Sequence, residues 1–289
     1  MKSFLFVLGM LSCFAAITQS QPVVCTSEEG KNKDLLIYAT NRTFGLYTLS
    51  VSFPIFEGYE IAQDKQDWFV VPSGKNQLLR LTPKKGAQPD VQFTFKSYEG
   101  KLFNKSPENS FVYLLPAKEG TALTYLESQS IAERIGKEPP KDYLAYYFQL
   151  KAGDTICAIR DGIVTKINDD IRQGTNLNMA FNANRNQIKI EQQDGTLAQY
   201  TFVSPILCLT DVGKQIHAGD PIAILGQKSN KFGVFVSSFY LDESKIKAVL
   251  QSPSNQPKYL YTYLPLKFYT PDHAPLEYNK DYIVTYPKK

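Results

Sequence analysis

The sequence predicts an all-β chain of two domains, an immunoglobulin-like sandwich followed by a small antiparallel β-barrel or groove. Three observations carry this. Short β-branched and aromatic runs with period-two alternation recur from Asp34 onward, as half-buried strands do. Turn residues such as Asn41, Pro72-Ser73-Gly74 and Pro83 separate them. A long helical pattern is read only over 242–252, "DESKIKAVLQS", while 289 residues exceed what one small domain needs.

The chain opens with Lys2, an apolar stretch from Phe4 to about Ile17, and small or polar residues at Thr18 and Ser20. Residues 1–20 are therefore expected to be a secretory signal peptide, too short for a membrane span, with cleavage near Ser20 or Gln21. Acylation of Cys13 is disfavoured, because Met10-Leu11-Ser12 lacks the small residue a lipobox carries at its second position. Export to the periplasm or the cell exterior follows, with no membrane span in the mature protein.

The sandwich is expected over 25–126. Its strands read as "DLLIYATN" (34–41), "YTLSVSF" (47–53), "WFVVP" (68–72), "QLLRLTP" (77–83), "VQFTFKSYEG" (91–100) and "SFVYLLP" (110–116). It holds no cysteine pair and no concentration of polar groups, which suits a packing or spacer module. The charged stretch 127–142, "ESQSIAERIGKEPPKD", reads as the linker, with a short helical turn over 130–136 ended by Pro139-Pro140.

The second domain is expected over 143–289. In "QLKAGDTICAIRDGIVTKIND" (149–169), Gly153 and Gly162 each precede a strand, and the polar run 169–186 reads as a loop. Asp194-Gly195 between two alternating runs marks a hairpin. Strands "VGKQIHAGDPIAILGQ" and "FGVFVSSFYLDE" follow, and the tail adds "YLYTYLPLKFYT" and "YNKDYIVTY".

Charge and cysteine usage bound the chemistry. The 32 basic and 28 acidic residues leave +4, and no Lys/Arg cluster exceeds a pair, so the footprint of a nucleic-acid partner is missing. Without Cys13, three cysteines remain, Cys25, Cys157 and Cys208. Cys157 and Cys208 form the one candidate disulfide within the second domain, if its strands bring them close. No C-x-x-C pair suggests a cysteine zinc site.

Taken together, "AGDTICAIRDGIVTKIND", "IKIEQQDGTLAQYTF" and "VGKQIHAGDPIAILGQ" resemble, in order and spacing, the lysostaphin-type zinc endopeptidases. The resemblance spans 143–242. It looks closest to secreted two-domain members with an N-terminal sandwich and a C-terminal strand pair like "LPLKFYT…LEYNKDYIV". Two of the motifs also resemble biotinyl/lipoyl carriers, but the hairpin tip Gln192-Gln193-Asp194-Gly195 has no lysine to modify. The family resemblance implies a groove that cuts cell-wall peptides with zinc held by three protein ligands.

Those ligands are not where the resemblance puts them. The H-x-x-x-D pair would fall on Tyr143 and Tyr147, the Y-x-H motif reads Tyr200-Thr201-Phe202, and the H-x-H pair falls on Val234 and Val236. A phenyl ring neither moves a proton nor stabilises an oxyanion by hydrogen bonding. The two histidines, His217 and His273, lie in turn-rich segments and read as exposed or locally bonded. Asp154, Asp194, Asp211 and Asp220 read as turn caps.

The expected protein is thus a secreted, non-catalytic relative with no metal or other cofactor. It would bind cell-wall peptide, glycan (peptidoglycan), or a cell-envelope partner. Tyr143, Tyr146, Tyr147 and Tyr200 are the candidate rim residues, with simple packing as their other reading. An active zinc metalloendopeptidase and a structural envelope adaptor stand as the alternatives.

Overall fold

Alternating strands in the first hundred residues close into two packed sheets, as the pattern requires. A computed structural model describes residues 21–61, 67–127, 142–169, 186–226, 233–251 and 260–287. The expected leader lies outside the described residues, as do the linker and the polar insertion apart from their end residues.

One sheet of the sandwich orders Val23–Glu29, Leu35–Asn41, Gly74–Pro83 and Tyr59–Ile61; the other orders Phe69–Val71, Tyr47–Glu57 and Asp90–Glu99. With the short Phe69–Val71 strand set aside, the first sheet has the A-B-E-D order of immunoglobulin domains. Ile37, Ala39 and Leu81 from that sheet meet Leu49 and Val71 from the other in a core of their own. The strands Val23–Glu29 and Tyr59–Ile61 are additions to the sequence reading.

After Gly100 the chain leaves the sandwich. Leu102–Phe103 runs parallel to Leu241-Asp242, Val112–Tyr113 parallel to Lys267–Phe268, and Ala122–Glu127 pairs with Tyr146–Gln149. Strands between 102 and 126, read from sequence as sandwich, thus pair with strands of the second body. Local alternation marks them as strands but carries no information on which sheet takes them.

The second body is built on a ten-stranded sheet. Its path runs Gln215–Ile216, Gly162–Asn168, Gln187–Gln192, Leu197–Phe202, Gly233–Asp242, Tyr146–Gln149, Ala122–Glu127, Lys280–Ile283. Tyr261–Leu264 and Leu102–Phe103 join beside the far half of the Gly233–Asp242 strand. A three-stranded sheet of Thr155–Cys157, Pro221–Leu225 and Ile206–Cys208 shares one core with it, bringing Ile156, Ala223 and Leu225 against Val164, Ile190 and Val236. The tail strands Lys267–Phe268 and Lys280–Ile283 do not pair with each other, contrary to expectation; each joins a different sheet. The helical pattern forms a helix over Glu243–Gln251, and no helix among the described residues is long and apolar enough to cross a membrane.

Two glycines act differently. Gly195 closes the expected hairpin with φ of 90°, a region other residues avoid. Gly162 is needed for space, since a Cβ there would lie 2.3 Å from the Glu191 carbonyl oxygen. The candidate disulfide does not form: Cys25, Cys157 and Cys208 are all free thiols. Cys157 sits opposite Pro221 and Cys208 opposite Ala223, on either side of one strand. Two strand spacings are about 10 Å, beyond the reach of a disulfide.

Candidate functional site

The Gly233–Asp242 strand is the axis of the site, because it carries the expected H-x-H positions and touches both other motif strands. On one side Tyr146, Tyr147 and Phe148 pair with Val236, Phe235 and Val234. On the other, Tyr200, Thr201 and Phe202 pair with the same three residues. Side chains alternate across a sheet, so these rows fall on two faces. Tyr147, Phe235 and Thr201 share the outer face. Tyr146, Val236 and Tyr200 share the inner one with Phe148, Val234 and Phe202.

The five expected positions therefore do not come together. Phe202, Val234 and Val236 lie in the main core, while Tyr143 and Tyr147 cluster with Phe235 elsewhere. Any ligand set that includes position 147 would take 235 and 237 from the central strand, not 234 and 236. A one-residue slip turns every side chain over. The sequence reading took Val234 and Val236 over Phe235 and Ser237 for a clear reason. Nine of the ten residues in the Gly233–Asp242 strand are buried, so the strand shows no in-out alternation to fix its faces.

The outer face is packed with rings. Tyr147 and Phe235 have centroids 4.5 Å apart, and Tyr143 meets Tyr263 edge-on at 5.0 Å. Gly233 makes room for this packing, since a Cβ there would stand 2.7 Å from the Tyr147 hydroxyl oxygen. Burial, and then the neighbouring Tyr263, push the Tyr143 phenol far above the ordinary tyrosine range, so it stays protonated. Gln199 Nε2 donates to Thr201 Oγ1 at 3.0 Å.

This donor set does not fit the zinc that the family resemblance implies. Phenol, hydroxyl and amide replace the imidazoles and carboxylates that hold a hydrolytic zinc. Among the described residues no group of three or more His, Cys, Asp or Glu side chains is arranged to hold a metal ion.

The same face continues under the sandwich. Lys189, Gln199 and Ser237 form one cross-strand row, and Glu191, Leu197 and Phe239 the next. Lys189 Nζ meets Glu99 Oε2 at 2.6 Å, and the Leu46 N–H donates to Glu191 Oε2 at 2.7 Å. Tyr261 Oη donates to the Glu99 carbonyl at 2.9 Å. Ser237 and Phe239 are each 5% exposed, so the face is closed from Tyr147 to the sandwich contact.

Of the four candidate rim tyrosines, Tyr143, Tyr147 and Tyr200 are buried. Tyr200 accepts a hydrogen bond from the Ile159 N–H at 2.7 Å, a structural tie between the two sheets. Tyr146 borders a cavity of about 380 Å³ on the inner side of the sheet, with Tyr125, Phe268 and Leu276. His217 is exposed and its N–H bonds Asp220 Oδ2; Asp154 caps Lys151 and Asp194 caps Thr196, as turn residues should.

No protein-family model matches the chain, and no curated protein does. Among solved structures, a protein described as a glycyl-glycine endopeptidase, LytM, from Ruminococcus gnavus is 11% identical with a TM-score of 0.31; the match covers 43% of this chain and 53% of that one. A peptidase from Pseudomonas aeruginosa is 12% identical with a TM-score of 0.28, over 66% of this chain and 82% of that one. The chain spans about half the length of the first. Neither likeness is strong enough to carry function.

Proposed function

We propose that this chain is a secreted, non-catalytic relative of the cell-wall zinc endopeptidases, acting by binding cell-wall peptide or glycan, or a partner enzyme in the envelope. The observation that carries the reading is the outer sheet face around Tyr147 and Phe235. Where a hydrolase of this kind needs an open polar groove with three metal donors, this face holds stacked rings and is covered. An empty polar cavity is costly, and filling it with aromatic groups removes that cost. The glycine-bearing motifs between 143 and 242 support the kinship with the peptidases, and the leader-like first twenty residues support export.

The test is metal content together with wall binding. The mature protein, purified without a metal-binding tag and exposed to zinc, is expected to hold well under one zinc per chain and to sediment with purified sacculi. About one tightly held zinc per chain, with peptidase activity on cell-wall peptides that a chelator abolishes, would overturn the non-catalytic reading. Failure to sediment with sacculi would remove the wall as ligand and leave the partner enzyme.

A further inference from the structure

The cavity beside Tyr146 lies on the opposite side of the sheet from the closed face, and the proposed loss of zinc chemistry makes no use of it. Its walls are the rings of Tyr125, Tyr146 and Phe268, with Leu276. Tyr146 and Phe268 stand edge-to-face with centroids 5.2 Å apart. The Tyr146 hydroxyl accepts the Leu266 N–H at 2.9 Å, which fixes the ring in the cavity wall. About 380 Å³ falls within the range of roughly 300–1,000 Å³ in which pre-formed small-ligand sites occur.

Two polar residues are among those that line the cavity, Lys267 and His273, and among the described residues no acidic one lines it. Lys267 enters no ion pair among them either. His273 is held in place. Its backbone has φ of 54°, its N–H donates to the Thr270 carbonyl at 2.9 Å, and its ring meets Tyr269 edge-on at 5.7 Å. An apolar aromatic slot with an unpaired cation and an imidazole at its border is complementary to one kind of molecule.

We propose that this cavity binds a ligand with a carboxylate at one end and an apolar, ring-sized body at the other. The body lies against Tyr125, Tyr146 and Phe268, and the carboxylate is taken by Lys267 and His273. A free organic acid and the C-terminal residue of a peptide both present that chemistry. The inference stands whether or not the outer face ever holds zinc.

The test is calorimetric titration of the full chain with three probes: N-acetyl-phenylalanine, its primary amide, and the tripeptide Ala-Ala-Phe. The acid is expected to bind with Kd of about 1 mM or better, and the amide at least about tenfold more weakly. Lys267→Gln, at an exposed side chain, should bring the acid down to the level of the amide while leaving the amide unchanged. Ala274→Trp, which fills the cavity, should abolish binding of both. A tripeptide tighter than the acetylated residue identifies a peptide terminus as the source, and one no tighter identifies a free acid. No saturable binding of the acid at about 10 mM, equal affinity for acid and amide, or undiminished binding by a folded Ala274→Trp protein would overturn the proposal. Should Ala274→Trp fail to fold, the Lys267→Gln comparison decides alone.

Discussion

Tyr200 shows how much a single side chain can fix here. It is fully buried beneath the sheet, and its hydroxyl is the acceptor for the Ile159 N–H at the edge of the smaller sheet. Removing the oxygen leaves that buried N–H without its partner. Tyr200→Phe is therefore expected to cost about 1–3 kcal/mol in urea denaturation. No loss would mean that water replaces the hydroxyl. The same burial pushes the Tyr200 phenol well above its ordinary value. A raised value means the folded state holds the proton more tightly. The contribution is thus complete below the ordinary tyrosine range and is lost as pH rises through the folded value. Gly162 is the steric counterpart, since Ala at this position would drive a methyl into the Glu191 carbonyl. Strain of that kind typically costs about 1–3 kcal/mol.

At the scale of the element, the central strand and the small sheet each carry a test. Histidines at 235 and 237, with Tyr143→His and Tyr147→Asp, would lie on one side of the sheet, and that variant is expected to take up zinc in a competition titration. The matching variant with histidines at 234 and 236 would put imidazoles into the core and is expected to lose about 3 kcal/mol or more without gaining a metal. Equal zinc uptake by both would refute the assignment of faces. Thiol titration in guanidinium without reductant should find Cys157 and Cys208 of the small sheet, and Cys25 of the sandwich strand Val23–Glu29, all reactive. In the folded protein burial holds the Cys25 thiol up to about 11, so it should alkylate slowly at pH 8.

These elements also mark what the sequence made legible. The Asp194-Gly195 hairpin and the Glu243–Gln251 helix were readable because turn chemistry and helical periodicity are local. The destination of Ala122–Glu127 was not, because two sheets accept the same alternating pattern. Nor were the faces of Gly233–Asp242, where burial on both sides erases alternation. Of the five expected positions, Tyr143 and Tyr147 thus lie in one cluster with Phe235, while Phe202 and the central-strand pair Val234 and Val236 face the core.

For the whole molecule, the contact between sandwich and sheet decides whether the outer face can open. Its polar part is Lys189 with Glu99, and Glu191 with the Leu46 N–H. Gly45 permits the close approach, because a Cβ there would lie 2.8 Å from Thr165 Cγ2. Burial raises the Glu191 pKa, the Leu46 N–H opposes the rise, and the Glu99 charge adds to it. The folded state therefore binds the Glu191 proton more tightly than the unfolded chain does. Its contribution to stability is complete below the ordinary carboxylate value of about 4.3 and is lost as pH rises through the folded value. Near neutral pH the ionised carboxylate works against the contact it sits in. Glu191→Gln keeps an oxygen to accept the Leu46 N–H and removes the charge. Thermal unfolding followed from pH 4.5 to 7 should show the wild-type protein losing a component of stability that the variant retains, with the variant equal or more stable at pH 7. Parallel pH profiles for the two proteins would show that Glu191 is already solvated, and that its charge does not work against the contact.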